Sequence, residues 1–196
     1  MDNFDQAFDL TISHEGGFTR NRKDRGNWTS GQVGKGALKG TKYGVSAMTY
    51  PHLDIENLTL EQAKEIYRHD FWAKAGCEAL PSGVDFLVFD AAINHGINRS
   101  LKFLQEAVGA VPDGIFGPKT LKRVTARPSK DVIREFSARR CVFYAGLHTF
   151  PAFGLGWTRR AVTTTMEAVS FIDTPALDQS KEAPKASKGR WFRRLK

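Results

Sequence analysis

Residues Val84-Asp85-Phe86-Leu87-Val88-Phe89-Asp90-Ala91-Ala92-Ile93-Asn94-His95-Gly96 decide the fold class. Their apolar side chains fall nearly all round a helical wheel, which predicts a central helix buried on every side. Leu80-Pro81-Ser82-Gly83 breaks the chain before it, and Gly96 ends it. Asp90, Asn94 and His95 intrude as polar groups into this apolar stretch. Toward the N-terminus, Thr59 with Gln62 three residues on forms a capping-box signature. It opens a helix whose face carries Leu60, Ala63, Ile66, Tyr67 and Phe71, ending near Gly76. Phe4, Ala7, Phe8 and Ile12 mark an earlier helix, stopped by Gly16-Gly17 because glycine accepts the left-handed conformation of a helix end. Residues 18–46 between them are polar and glycine-rich, with room for a small hairpin. Loops this long inside a compact domain are usually functional or disordered.

Toward the C-terminus, residues 99–108 read as a helix stopped by Gly109. Residues 113–120, DGIFGPKT, read as a turn into a short helix with Pro118 in its first position. Ser129 is the expected cap of a long helix through Val132, Ile133, Phe136, Phe143 and Leu147, and residues 157–172 form the last core helix. Strand signals are weak. The expected fold is mainly α, a helical bundle with a small or absent β element in the glycine-rich loop.

The chain has 196 residues, 41% hydrophobic and 26% charged, too apolar for a disordered chain. No apolar run approaches the roughly 18–20 residues that cross a bilayer. Asp2, Asp5 and Asp9 occupy the place of a signal peptide's positive and greasy regions, so no export signal is expected. Cys77 and Cys141 fit buried free thiols better than a disulfide framework. The net charge of +8 suggests a polyanionic partner.

The chemistry concentrates in Ser13-His14-Glu15-Gly16-Gly17. Glu15 falls at the C-terminal end of the first helix, where exposed carbonyls disfavour an ionised carboxylate. A carboxylic acid kept protonated near neutral pH suits a general acid that protonates a leaving glycosidic oxygen. An ordinary surface glutamate has the same sequence, so residue type alone does not decide. Asp24 follows nine residues later, in a loop able to fold back. Glycoside hydrolases commonly use two carboxyl groups roughly 5–10 Å apart. Thr41 precedes Tyr43-Gly44-Val45, and its hydroxyl could hold a water or a sugar hydroxyl. Tyr43, Phe116 and Trp157 are candidates to stack on sugar faces. A zinc-protease reading fails on spacing, because His-Glu-x-x-His would need a histidine where Phe18 stands. His52, His69, His95 and His148 show no ligand spacing. No catalytic metal and no cofactor are expected.

HEGG at 14–17, TKYGVS at 41–46, FDAAINHG at 89–96 and DGIFGPKT at 113–120, in this order, resemble the phage and prophage muramidases of glycoside hydrolase family 108. Members of that family are often called endolysins. The resemblance spans roughly residues 7–172. It implies that Glu15 is the catalytic acid, with Asp24 and Thr41 following the Glu-Asp-Thr order of other phage lysozymes. Tyr43, Asn94, Asp113 and Phe116 are the candidate substrate contacts, although Asp113 and Phe116 also suit a plain turn. Asn21-Arg22-Lys23-Asp24-Arg25-Gly26 departs from the family's more usual Asp-Pro-x-Asp-Pro-Gly-Gly loop by keeping one acid. The expected organisation is a muramidase part over 1–97, a helical peptidoglycan-binding part over 98–172, and a linker with a basic aromatic tail over 173–196. The implied partner is peptidoglycan, and the implied location is the host bacterial cytoplasm, with action on the wall after release. A monomer is expected.

From Lys181 onward seven basic residues meet one acid, so +6 of the +8 lies in the tail. Lys188, Arg190, Arg193, Arg194 and Lys196 surround Trp191, Phe192 and Leu195. That pattern suits an anionic membrane or lipopolysaccharide, and no recognised nucleic-acid-binding fold accompanies it. Two further functions stay open at this point. One is a lytic transglycosylase, and the other is a non-enzymatic wall- or membrane-binding protein acting through the tail.

Overall fold

The computed structural model describes residues 3–12 and 17–173. Residues 13–16, which include Glu15, and the tail from 174 onward, with Lys188 to Lys196, lie outside the described residues. The elements run α1 (Phe4–Thr11), β1 (Thr41–Lys42), β2 (Val45–Ser46), α2 (Leu60–Tyr67), α3 (Val84–His95), α4 (Ile97–Ala107), α5 (Pro118–Thr125), α6 (Ser129–Ala145) and α7 (Phe150–Asp173). Short 3-10 turns stand at Arg25–Asn27 and Cys77–Ala79, and a π-helical turn at Arg68–Ala73 continues α2. The mainly α, lysozyme-like expectation is met. Among the described residues no helix is long and apolar enough to cross a membrane.

Helix α3 is the axis. Every residue from Val84 to Ala92 is buried, Asp85 and Asp90 included. It packs against α1, α4, α6 and α7. Fully burying a Phe or Leu side chain contributes about 1.5–3 kcal/mol, so Phe86, Leu87 and Phe89 anchor much of the core. Phe4 and Trp72 both meet Phe89 edge-on, with ring centroids 5.7 and 5.4 Å away. Helix α3 ends at Gly96, whose φ of +82° favours glycine. The capping box of α2 forms as expected: the Thr59 hydroxyl accepts from Gln62 N, and Gln62 Oε1 accepts from Thr59 N.

Several details differ from the sequence reading. Ser129 is the first residue of α6, behind Pro128 in the capping position, and its side chain makes no cap bond. Helix α7 starts at Phe150, seven residues before the expected start, and runs through Gly154 and Gly156. A glycine costs a helix only about 1 kcal/mol, and any side chain at Gly154 would collide with the Phe150 ring. Leu60 points partly outward, 39% exposed, so Ala63 and Tyr67 are the buried face of α2. Of the two free cysteines, Cys77 is buried and Cys141 half-buried.

A buried charge cluster joins α3 to the C-terminal helices. The Asp90 carboxylate accepts from Arg140 Nη1 at 2.6 Å and from Arg160 Nη2. Asp90 and Arg140 are 2% and 1% exposed, so water does not compensate either charge. Arg140 Nε also donates to the His95 ring at 3.1 Å and to the Tyr144 hydroxyl at 3.0 Å. Burial, then the Arg140 charge, pushes the His95 pKa down to about 4.

Asp90→Ala leaves Arg140 buried and uncompensated, and denaturant unfolding should register a loss of about 3–5 kcal/mol. Exchanging Asp90 and Arg140 together for apolar residues should recover most of it. The cluster also sets an acid limit. The folded pKa of His95 lies below its unfolded value near 6.5, so the unfolded chain takes the proton first. The stability His95 contributes is complete above about pH 6.5 and is lost as pH falls toward 4. Thermal melts across that window should show the slope in the wild type and a flatter one in His95→Gln.

Candidate active site

The long glycine-rich loop is a frame built on one buried side chain. Asn27 is fully buried. Its amide nitrogen donates to Asn21 O at 3.1 Å, and its backbone carbonyl accepts from Lys39 N and Gly40 N. Its Oδ1 accepts the Thr41 hydroxyl at 2.7 Å. Asp24 caps the 3-10 turn Arg25–Asn27, its Oδ1 accepting from Gly26 N at 2.9 Å. Asp24 and Thr41 therefore belong to one frame, joined through that turn. The Asp24 side chain is exposed, and the Thr41 side chain is half-buried with its oxygen lone pairs still able to accept.

Strand β1 forms the middle of the site. Thr41 pairs with Ser46 across the hairpin and makes an isolated bridge to Thr19, with bonds of 2.9 and 2.8 Å. Thr19 stands four residues beyond Glu15 in sequence. Tyr43 and Gly44 form the two-residue turn, with φ of +50° and +75°. Both central residues of the favoured hairpin turn need positive φ, which is uncommon for a tyrosine. The Tyr67 hydroxyl donates to the Tyr43 carbonyl at 3.1 Å and holds it there. A side chain at Gly44 would strike that hydroxyl and approach Ile12, the last described residue before Glu15. The end of α1 and the hairpin turn thus lie close together. Burial raises the Tyr67 phenol to about 12, so it stays a donor.

A second tie holds the hairpin region to the helices. The Tyr50 hydroxyl donates to Asp70 Oδ2 at 2.7 Å, and Lys74 Nζ donates to Asp70 Oδ1 at 2.6 Å. The Lys74 bond is the chief cause that lowers the Asp70 carboxyl to about 2, with Tyr50 and His69 adding to it. Burial and the neighbouring carboxylate raise the Tyr50 phenol above its ordinary value.

Of the other sequence candidates, Tyr43 sits in the hairpin turn, and Asn94, Asp113, Phe116 and Trp157 lie on or beside the later helices. The Tyr43 ring is half-buried against the core, with Lys42 Nζ 5.5 Å over it. Asn94 is exposed on α3 and donates to the Asp90 carbonyl at 2.7 Å. Asp113 closes its own turn, accepting from Gln105 Nε2 at 2.6 Å and Ile115 N at 2.9 Å. Those bonds keep its carboxyl below the ordinary range. Phe116 packs so closely on Gly76 that no side chain fits there. Trp157 stacks on Tyr144 with centroids 5.4 Å apart. Sequence reasoning passed over Asn27, whose importance comes from burial that a polar loop does not announce. Tyr67 was read only as a core-facing residue of α2. No group of three or more His, Cys, Asp or Glu that could hold a metal occurs among the described residues.

A helical core with a short hairpin and a polar frame beside the end of the first helix makes a lysozyme-like fold. The family described as glycosyl hydrolase 108 matches residues 8–96. Among solved structures, SagA of Brucella abortus is 33% identical, with a TM-score of 0.74 over 89% of this chain and 98% of that one. The chain belongs to the glycosyl hydrolase 108 family. No curated protein matches it.

Asn27→Ala would leave the Thr41 hydroxyl without its acceptor and the Asn21 carbonyl without its donor. Thermal or denaturant unfolding should show a cost of about 1–3 kcal/mol. Thr41→Val keeps the shape but removes the hydroxyl, and should cost less.

Proposed function

We propose that the protein is a muramidase that hydrolyses the β-1,4 bond between N-acetylmuramic acid and N-acetylglucosamine in bacterial peptidoglycan. Glu15 protonates the leaving glycosidic oxygen. Asp24 stabilises the oxocarbenium-like state or orients the attacking water, and the free lone pairs of Thr41 help hold that water. The observation that carries this reading is the pairing of Thr19 with Thr41. It ties the chain just beyond Glu15 to the frame that bears Asp24 and Thr41. The biological role that fits is an endolysin, held in the host cytoplasm and causing lysis once it reaches the wall. In this reading the cationic tail meets an anionic outer envelope, and the helices after Gly96 attach the enzyme to peptidoglycan.

Purified peptidoglycan tests the chemistry. Wild-type protein should release muropeptides with plain reducing ends, and Glu15→Gln should release essentially none while keeping its circular dichroism. Anhydro ends in the mass spectrum would instead establish a lytic transglycosylase. Wild-type rates from Glu15→Gln would remove Glu15 from the mechanism.

A further inference from the structure

We infer that a groove between the end of α4 and the start of α6 binds a short charged peptide, of the kind that branches from bacterial wall glycan, through Arg127 and Glu106, which line it, and Arg123, which flanks it beside Gly109. This inference rests on the reading of the protein as a wall hydrolase. The groove has a volume of about 460 Å³ and lies on the helices after Gly96, not on the Asn27 frame.

Its two walls differ in how their charges are satisfied. The α6 wall compensates itself. Arg134 pairs with Asp131 at 3.0 Å and with Glu135 at 3.5 Å, and Arg139 pairs with Glu135 at 2.7 Å. The opposite wall does not. Arg123 and Arg127 both turn their guanidinium groups toward Gly109. A Cβ placed on that glycine would lie 3.7 Å from Arg127 Nη2 and 4.0 Å from Arg123 Nη1. Arg127 spends one donor on the Ala107 carbonyl at 3.1 Å. Neither arginine has a carboxylate within ion-pair distance among the described residues, and Glu106, on the same groove, has no cationic partner there.

Two guanidinium groups converging without an acid repel each other, and a carboxylate between them removes that repulsion with charge-assisted hydrogen bonds. The unpaired Glu106 adds a position for an ammonium group. Neutral sugars carry neither charge. A phosphate would suit the arginines and be repelled by Glu106. A short peptide with a free carboxylate and a free amine satisfies both poles. The α6 pairs are surface pairs of small net worth, so they can exchange partners with further peptide charges.

Isothermal titration of the full chain with a soluble wall tetrapeptide carrying a free side-chain amine tests the site, with peptide-free disaccharide and inorganic phosphate as controls. Saturable binding of the tetrapeptide is expected, with affinity about tenfold weaker in Arg123→Glu. A smaller loss is expected in Glu106→Gln, and that loss should vanish when the peptide amine is acetylated. Arg123 and Glu106 are both exposed, so unchanged melting temperatures should accompany these losses. Equal affinity in wild type and Arg123→Glu, or equal binding of phosphate and peptide, would overturn the proposal. Reducing-end release from peptide-free glycan is measured separately and should be the same for wild type and Arg123→Glu. If wild type releases none, the hydrolase reading fails, and the titration still judges the groove.

Discussion

The Asp90 carboxylate, shared by Arg140 and Arg160, is the interaction on which the arrangement of the C-terminal helices depends. Taking charges out of water costs several kcal/mol per ion, and only close geometry with further hydrogen bonds offsets it. A buried pair therefore specifies an arrangement more than it adds stability. Hydrophobic contacts would let α6 and α7 slide on α3, since apolar surfaces tolerate many registers. The Asp90 cluster tolerates one, because a shift would separate a buried acid from its partners. His95 and Tyr144 extend the cluster by sharing the single Arg140 Nε proton.

The candidate site is organised on a different principle. It contains little regular structure, two strands of two residues each. Its order comes from backbone groups gathered by single side chains. Asn27 collects a carbonyl and a hydroxyl through its side chain and two amides through its own carbonyl. Tyr67 reaches from α2 to fix the hairpin turn, and Asp70 reaches from the π-helical turn to fix Tyr50. Irregular backbone held by rigid helices suits a site that must present polar groups to a long, polar glycan.

Legibility in sequence followed the range of the interactions. Helix α3 was readable because its apolar residues are contiguous, and the Thr59–Gln62 box because its partners are three residues apart. Asp90 registered only as a polar intrusion, since Arg140 and Arg160 stand 50 and 70 residues away and nothing local points to them. The start of α7 was hidden by Gly154 and Gly156, which mean a break in most contexts, although here Gly154 makes room for the Phe150 ring. In the site, the motif around Glu15 and the Asp24–Thr41 order were visible, whereas their connection through Asn27 was not. A buried asparagine in a polar loop looks like every other loop asparagine.

The closed neck of the long loop has a consequence for change. Thr29 and Ala37 bond to each other twice, Trp28 bridges Leu38, and the stretch between them is mostly exposed, with left-handed glycines at 31, 34 and 36. Asn27 and Thr41 lie on the inner side of that neck. The outer stretch is therefore an appendix whose length is uncoupled from the chemistry behind it. Doubling a flexible loop costs only about 0.6 kcal/mol in closure entropy. This appendix can be lengthened, shortened or recharged without disturbing the Asn27 frame behind it.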